Sequence, residues 1–397
     1  MENFEGFRIY ISPCGIGLGH VTRCNTIARV LESEGADVLF STYLDGLEYA
    51  RHRGLKVASS PSIRMANDET GSIDLKATSF TSGLTAAPTF LEQVQKELLY
   101  MRKYRPDVVL SDSRLSTIYA GKLLDVPVAT ILNQFQPIIP REDERSTLFK
   151  MADGIILGMI SRGWGQSDVI IIPDFPEPNT ISLDSLRIPR AFKDKTRFVG
   201  ALLENSPDEV PESDELRERL DVRDGRKLIY AGISGPRDER IPLIRMLKEL
   251  LREFPDKYRV VMSLGDPTGG MEPSRDGNLT VIPWVPDRDL YLKTCDIVLS
   301  RAGHETIMQS ICYKKPSLLI PVPKHTEQYA NARRAMELGV AEAIDQCKLY
   351  RGELLSQIKR LAENEVYKNR LNELNDETEL CNGLSNTIET ISCLIKG

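Results

Sequence analysis

The sequence predicts an α/β protein made of two parallel-sheet domains. Short β-rich runs alternate with helical runs along most of the chain, the pattern left by parallel strands joined through crossover helices. The chain has 397 residues, which at ~150 residues per domain suggests two domains. A polar stretch from Glu204 to Asp214, with Pro207 and Pro211 among acids, separates two such alternating series.

In the first series, Phe7–Ser12 is a short β-rich run, and Val21–Glu34 carries Val21, Ile27, Val30 and Leu31 on one helical face. Asp37–Ser41, Asp107–Ser111, Val126–Leu132 and Asp168–Ile172 read as further buried strands. The second series starts after Pro207, with strands at Lys227–Ala231, Arg259–Leu264, Leu279–Ile282, Asp296–Ser300 and Ser317–Pro321. Between its first two strands, Ile241–Phe254 aligns Leu243, Met246, Leu247, Leu250 and Leu251 on one face. The domain change is expected at 195–205, because Thr196–Val199 suits either sheet. That gives domains of 1–200 and 201–375, with 376–397 as a C-terminal helix packing back, crossing to the first domain. The tail from Glu365 to Leu394 is polar with sparse apolar positions and reads as one or two surface helices. Two such halves face a cleft, and open parallel sheets bind ligands at the carboxyl ends of their strands.

Composition narrows the function. Lys and Arg total 51 against 57 Asp and Glu, a net charge of −6, so the general basic footprint of a nucleic-acid binder is missing. Hydrophobic residues at 41% and charged residues at 27% exclude a disordered chain. Seven cysteines without a Cys-x-x-Cys pair point to free thiols in a reducing compartment. The N-terminus has no basic and apolar signal regions, and nowhere do ~18 apolar residues run together. A cytoplasmic protein is expected, with the inner face of the membrane as its alternative station.

Two loops carry the chemistry. The first is Cys14-Gly-Ile-Gly-Leu-Gly-His20, joining the first strand to the first helix. Its alternate glycines allow a close backbone approach to a ligand, which places Gly17 and Gly19 as donor contacts. It is neither the G-x-G-x-x-G dinucleotide fingerprint nor a phosphate loop with G-K-[ST]. His20 falls near a helix N-terminus, whose dipole favours a neutral imidazole base. The plain alternative is a polar cap above glycines that ease packing.

The second loop follows the strand ending at Ser300. Arg301, Ala302 and Gly303 form a tight turn and a helix starts near His304, where free backbone N–H groups suit a phosphate or diphosphate. Lys315-Pro-Ser-Leu-Leu-Ile-Pro then leads into a proline-stiffened loop that brings His325, Glu327 and Gln328 to the same sheet edge. Carboxylate and amide groups clustered there match the hydroxyls of a sugar. Of four histidines, His20, His304 and His325 fall at strand-end turns; His52, in Ala50-Arg-His-Arg, suits a solvated helix end.

Taken together, Gly-x-Gly-x-Gly-His and the later Ser-Arg-Ala-Gly-x-x-Thr…Lys-Pro…Glu-Gln-Tyr-x-Asn-Ala resemble the inverting GT-B glycosyltransferases. The UDP-glycosyltransferases and the peptidoglycan lipid-intermediate N-acetylglucosaminyltransferase are the nearest in kind. The resemblance implies two Rossmann-like domains, acceptor in the first and nucleotide-sugar in the second. By motif it implies that Ser234 and the turn Arg301–His304, with Gly303, meet the diphosphate. Val285 in Pro283-Trp-Val-Pro286 would read the base through its backbone, and Glu327 and Gln328 would hold the transferred sugar. The family usually has Glu where this chain has Gln309. Gln accepts a ribose hydroxyl without charge, so a non-uridine nucleotide is the alternative to the expected UDP-sugar.

Inverting transfer needs a base for the acceptor hydroxyl and stabilisation of the departing diphosphate. His20 is the first candidate base. Asp112, just after a buried strand, either orients His20 or acts as base itself; its plain reading is a helix cap. Asp287-Arg-Asp289 spells a metal-binding D-x-D but reads better as a capped helix start, so neither metal nor cofactor is expected. The partners expected are a nucleotide-sugar donor and an unidentified hydroxyl acceptor. Thr147–Trp164, rich in apolar residues, reads as a core helix, or else as a hydrophobic surface for a lipid-linked acceptor with peripheral membrane contact. Two rival functions share the architecture: a nucleotide-sugar 2-epimerase and a non-catalytic nucleotide-sugar-binding subunit.

Overall fold

The computed structural model describes residues 3–16, 18–62, 75–135, 158–211, 213–222, 225–266, 269–285, 287–377 and 382–396. Its strands form two seven-stranded sheets. The first contains β1 (Arg8–Pro13), β2 (Asp37–Thr42), β3 (Val57–Ser59), β4 (Val108–Asp112), β5 (Val128–Ile131), β6 (Val169–Ile172) and β7 (Thr196–Phe198). Their order is β3-β2-β1-β4-β5-β6-β7, and every neighbouring pair is parallel. Helices cover both faces, so strands such as Val-Val-Leu-Ser-Asp of β4 are buried throughout and read as unbroken apolar runs. The connecting helices are α1 (Gly19–Ser33), α2 (Leu44–His52), α3 (Leu75–Tyr104), α4 (Leu115–Leu123), α5 (158–164) and the short α6 (Leu183–Leu186).

The second sheet contains β8 (Lys227–Gly232), β9 (Tyr258–Ser263), β10 (Ser274–Asp276), β11 (Leu279–Ile282), β12 (Ile297–Ser300), β13 (Ser317–Leu319) and β14 (Ala341–Ala343). It is ordered β10-β11-β9-β8-β12-β13-β14, with only β10 antiparallel. Its helices are α7 (Asp214–Arg219), α8 (Arg237–Leu251), α9 (Arg288–Thr294), α10 (His304–Cys312), α11 (Thr326–Glu337), α12 (Arg351–Glu363), α13 (Glu365–Glu377) and α14 (Gly383–Lys396). No described helix is long and apolar enough to cross a membrane. None of the six described cysteines is joined in a disulfide.

The tail departs from its reading as surface helices. Leu371 and Leu374 of α13 pack with Ile307 and Ile311 of α10. Ile388 and Ile391 of α14 enter the core of the first sheet beside Ile9, Ile11 and Leu31. Gly383 starts α14 against the backbone of residue 201: a Cβ there would sit 2.3 Å from the Ala201 carbonyl oxygen. The polar residues that share the buried face of α14, Thr387 and Ser392, hide it from a hydrophobicity pattern.

Candidate active site

Strand order puts a switch point in each sheet. In the first, crossovers diverge on either side of the β1–β4 pair, opening a crevice beyond Pro13 and Asp112, which are register partners at the strand ends. In the second, β8 and β12 make the equivalent point, with Gly232 beside Ser300. The loops carrying His20 and His304 leave from these two points.

His20 is the second residue of α1, with its ring 26% exposed. Its Nδ1 lies 2.8 Å from Oδ1 of the fully buried Asp112. One turn on, Arg23 grips the same carboxylate with Nε on Oδ2 and Nη2 on Oδ1, both at 2.6 Å. Burial would raise the Asp112 pKa, but Arg23 and His20 outweigh it and hold the carboxyl well below the usual range. Nδ1 lies between that carboxylate oxygen and Arg23 Nη2, 3.0 Å away, and the tautomer that donates Nδ1–H to Asp112 is the one a base at this place needs. That leaves Nε2 as a free acceptor. Asp112 caps no helix: the N-cap of α4 is Arg114.

Across the cleft stands α10. Its N-cap, Gly303, makes no side-chain cap, so first-turn N–H groups are left for a ligand. The domains approach closely: a Cβ on Gly19 would lie 3.5 Å from Glu305 Oε2. That oxygen and Gln309 Oε1 are shut off from water without a hydrogen-bond partner. Burial pushes the Glu305 pKa up, while Arg288, Arg23, His20 and His304 pull it back. The gap lined by Arg23, Pro173, His304, Glu305 and Gln309 holds about 10 Å³, room for a single water.

The other expected residues divide. His304 is buried and its Nε2 meets Oδ2 of Asp174, from the first domain, at 2.9 Å. Glu327 also reaches across, accepting from Asn133 Nδ2 at 3.0 Å. Ser234 is exposed on the loop after β8. Val285, on the loop after β11, is buried and packs into the core. Gln328 Oε1 accepts from the Val322 amide at 2.9 Å, so only its amide nitrogen is free to meet a sugar. The Arg301 guanidinium is buried and braces the turn, donating to the Ile320 and Glu239 carbonyls at 3.1 and 2.6 Å and to Gln346 Oε1 at 2.7 Å, while its Nε has no hydrogen-bond partner among the described residues. Asp287 caps α9 through the Leu290 amide at 3.1 Å. Gly17, Pro286 and residues 147–157 lie outside the described residues.

Sequence reasoning missed Arg23, Asn133, Asp174 and Glu305. Arg23 stands three residues after His20, one turn along the same face of a helix. Asn133 and Asp174 each follow the carboxyl end of a strand, where the switch-point rule would have directed attention. Among the described residues no group of His, Cys, Asp and Glu side chains gathers as a metal site.

Two parallel-sheet domains with facing switch points are the GT-B architecture, and the comparisons make the chain a glycosyltransferase of that fold. Residues 243–382 match the glycosyltransferase family 28 C-terminal domain. An uncharacterized glycosyltransferase of Methanosarcina acetivorans is 27% identical over 92% of this chain and 93% of its own length. The UDP-N-acetylglucosamine–N-acetylmuramyl-(pentapeptide) pyrophosphoryl-undecaprenol N-acetylglucosamine transferase of Leuconostoc citreum is 20% identical over 92% of each chain. Among solved structures, the calicheamicin glycosyltransferase superposes with a TM-score of 0.66 at 16% identity, covering 100% of this chain and 99% of the other.

Proposed function

We propose that the protein transfers a sugar, with inversion and without a metal, from a nucleotide-diphosphate sugar to a hydroxyl acceptor, with a UDP-sugar as the expected donor. One observation carries the reading: the His20–Asp112 pair faces the uncapped N-terminus of α10 across the cleft. The acceptor hydroxyl gives its proton to His20 Nε2 as its oxygen attacks the anomeric carbon. The bond from that carbon to the diphosphate breaks on the opposite side, and the N–H groups of α10 receive the growing charge. Glu327 holds the sugar from the donor side. The pyrophosphoryl-undecaprenol acceptor in the name of the Leuconostoc relative supports a lipid- or glycan-linked acceptor here.

A thermal-shift panel of nucleotides and nucleotide sugars tests the donor: a nucleotide sugar is expected to raise Tm. Stabilisation by NAD alone would oppose the reading. His20→Ala is expected to lower kcat roughly 10²–10⁴-fold while donor binding persists. Transfer at the parental rate by a folded variant removes His20 as base, and epimerised donor formed without acceptor would indicate the epimerase instead.

A further inference from the structure

We infer that Asp174, supplied by the first domain, is a positioning residue for the departing diphosphate, acting through its hydrogen bond to His304 at the start of α10. The inference deepens the donor reading above and rests on it.

Asp174 lies just beyond β6 and is fully buried. Its Oδ1 accepts from the amides of Phe175 and Ile181 at 2.7 and 3.0 Å. Its Oδ2 accepts from the amide and hydroxyl of Ser182 at 2.8 and 2.5 Å. Four local donors already satisfy the carboxylate and fold its own loop. The bond from His304 is a fifth, and it comes from the other domain. The loop does not need the imidazole; the imidazole gains from the loop.

With Nε2–H spent on Asp174, the ring presents Nδ1, which has no hydrogen-bond partner among the described residues. Burial would raise Asp174, but His304, Ser182 and the Ile181 amide hold it below the usual carboxylate range, so it stays charged at neutral pH. Held between the Asp174 carboxylate and a diphosphate oxygen, both of them acceptors, the ring must carry a proton on each nitrogen in the complex. The other charged groups facing His304 are Glu305 on its own helix and Arg23 of α1, which line the same gap. An imidazolium at the N-terminus of α10 donates Nδ1–H to a diphosphate oxygen, and that bond strengthens as charge gathers on the leaving group. Because the two partners sit on opposite domains, the device is complete only when the domains are together.

The test compares binding of UDP with binding of uridine, which lacks the phosphates. In His304→Phe and in Asp174→Asn, UDP affinity is expected to fall at least tenfold, with uridine affinity unchanged by ligand-observed NMR. The double variant should bind UDP no more weakly than His304→Phe alone, because Asp174 acts through the ring. Parental UDP affinity in His304→Phe overturns the inference, as does additivity in the double variant. So does an Asp174→Asn protein with lowered Tm but unaltered UDP binding, which would show a purely structural carboxylate. Should Asp174→Asn fail to fold, the pH profile decides. The parent's advantage in UDP affinity over His304→Phe should shrink as pH rises through the imidazole range, a comparison in which the ionisation of UDP itself cancels; an advantage constant with pH overturns the proposal. If UDP, GDP, dTDP and ADP all fail to bind the parent, the donor reading itself falls, whereas binding indifferent to the variants defeats this inference alone.

Discussion

Asp112 shows how one residue can serve both fold and chemistry. Its bidentate ion pair with Arg23 is buried, so removing one partner strands the other charge, a loss of about 3–5 kcal/mol in comparable cases. The folded pKa is depressed, so this stabilisation is present above about 3.9, where the unfolded carboxylate is charged, and is lost as pH falls toward the folded value. Asp112→Asn should therefore lower Tm strongly at pH 7 and converge on the parent in acid, with kcat reduced because the imidazole loses its orienting anion. Glu239 runs the opposite way. Burial raises its pKa to about 7, with Arg301 opposing, so the folded chain holds a proton that the unfolded chain releases near 4.3. Stability is then lost as pH rises from about 4.3 to 7, by at most about 4 kcal/mol. Glu239→Gln should match the parent in Tm near pH 4 and exceed it at pH 8; a parent no less stable than the variant at pH 8 would show that Glu239 carries no such cost. His20 was legible because histidine is scarce and glycines surround it. Arg301 was less legible, because a strand-end arginine facing a phosphate and one bracing a turn have the same sequence, and the carbonyls around it appear only in the fold.

At the scale of elements, strands lying in apolar runs were legible, the three-residue β13 among them, and three others were not. β3, β10 and β14 have three residues each, too few to show a period, and exist because a neighbouring strand offers unpaired groups. Thr196–Phe198 suited either sheet in sequence, and its pairing with β6 assigns it to the first. The glycine loop was legible as a motif, but its constraint lies at a residue that sequence alone does not rank. A Cβ on Gly15 would fall 1.9 Å from the Tyr43 carbonyl oxygen, inside the backbone that carries α2. Gly15→Ala should therefore displace the loop, lowering both Tm and kcat, whereas an Ala at the open Gly54 would be limited to the strain of its positive φ. On α14, Ile391→Ala removes a fully buried side chain from the first core and should cost about 2–5 kcal/mol in chemical denaturation.

At the scale of the whole molecule, the cleft is bridged. Asn133 meets Glu327, Asp174 meets His304, and the Arg334 guanidinium donates to the Thr180 carbonyl at 3.0 Å. The gap beside α10 holds about 10 Å³, against roughly 300–1,000 Å³ for an ordinary small-molecule site. On the proposed reading, the domains part to admit the donor and close around it. Asn133 is the informative contact. It is 6% exposed, its Nδ2 binds Glu327, and its Oδ1 is buried without a partner, so bound sugar would find an acceptor waiting there. A neutral hydrogen bond from a sugar hydroxyl contributes about 0.5–1.5 kcal/mol, equivalent to roughly 2–10-fold in a binding constant. Asn133→Ala is therefore expected to raise donor KM by roughly 2–10-fold while leaving the isolated chemical step nearly unchanged, and to lower Tm through the lost bond to Glu327. A variant with parental KM would mean that the Asn133–Glu327 bridge belongs to the resting molecule and has no part in holding the sugar.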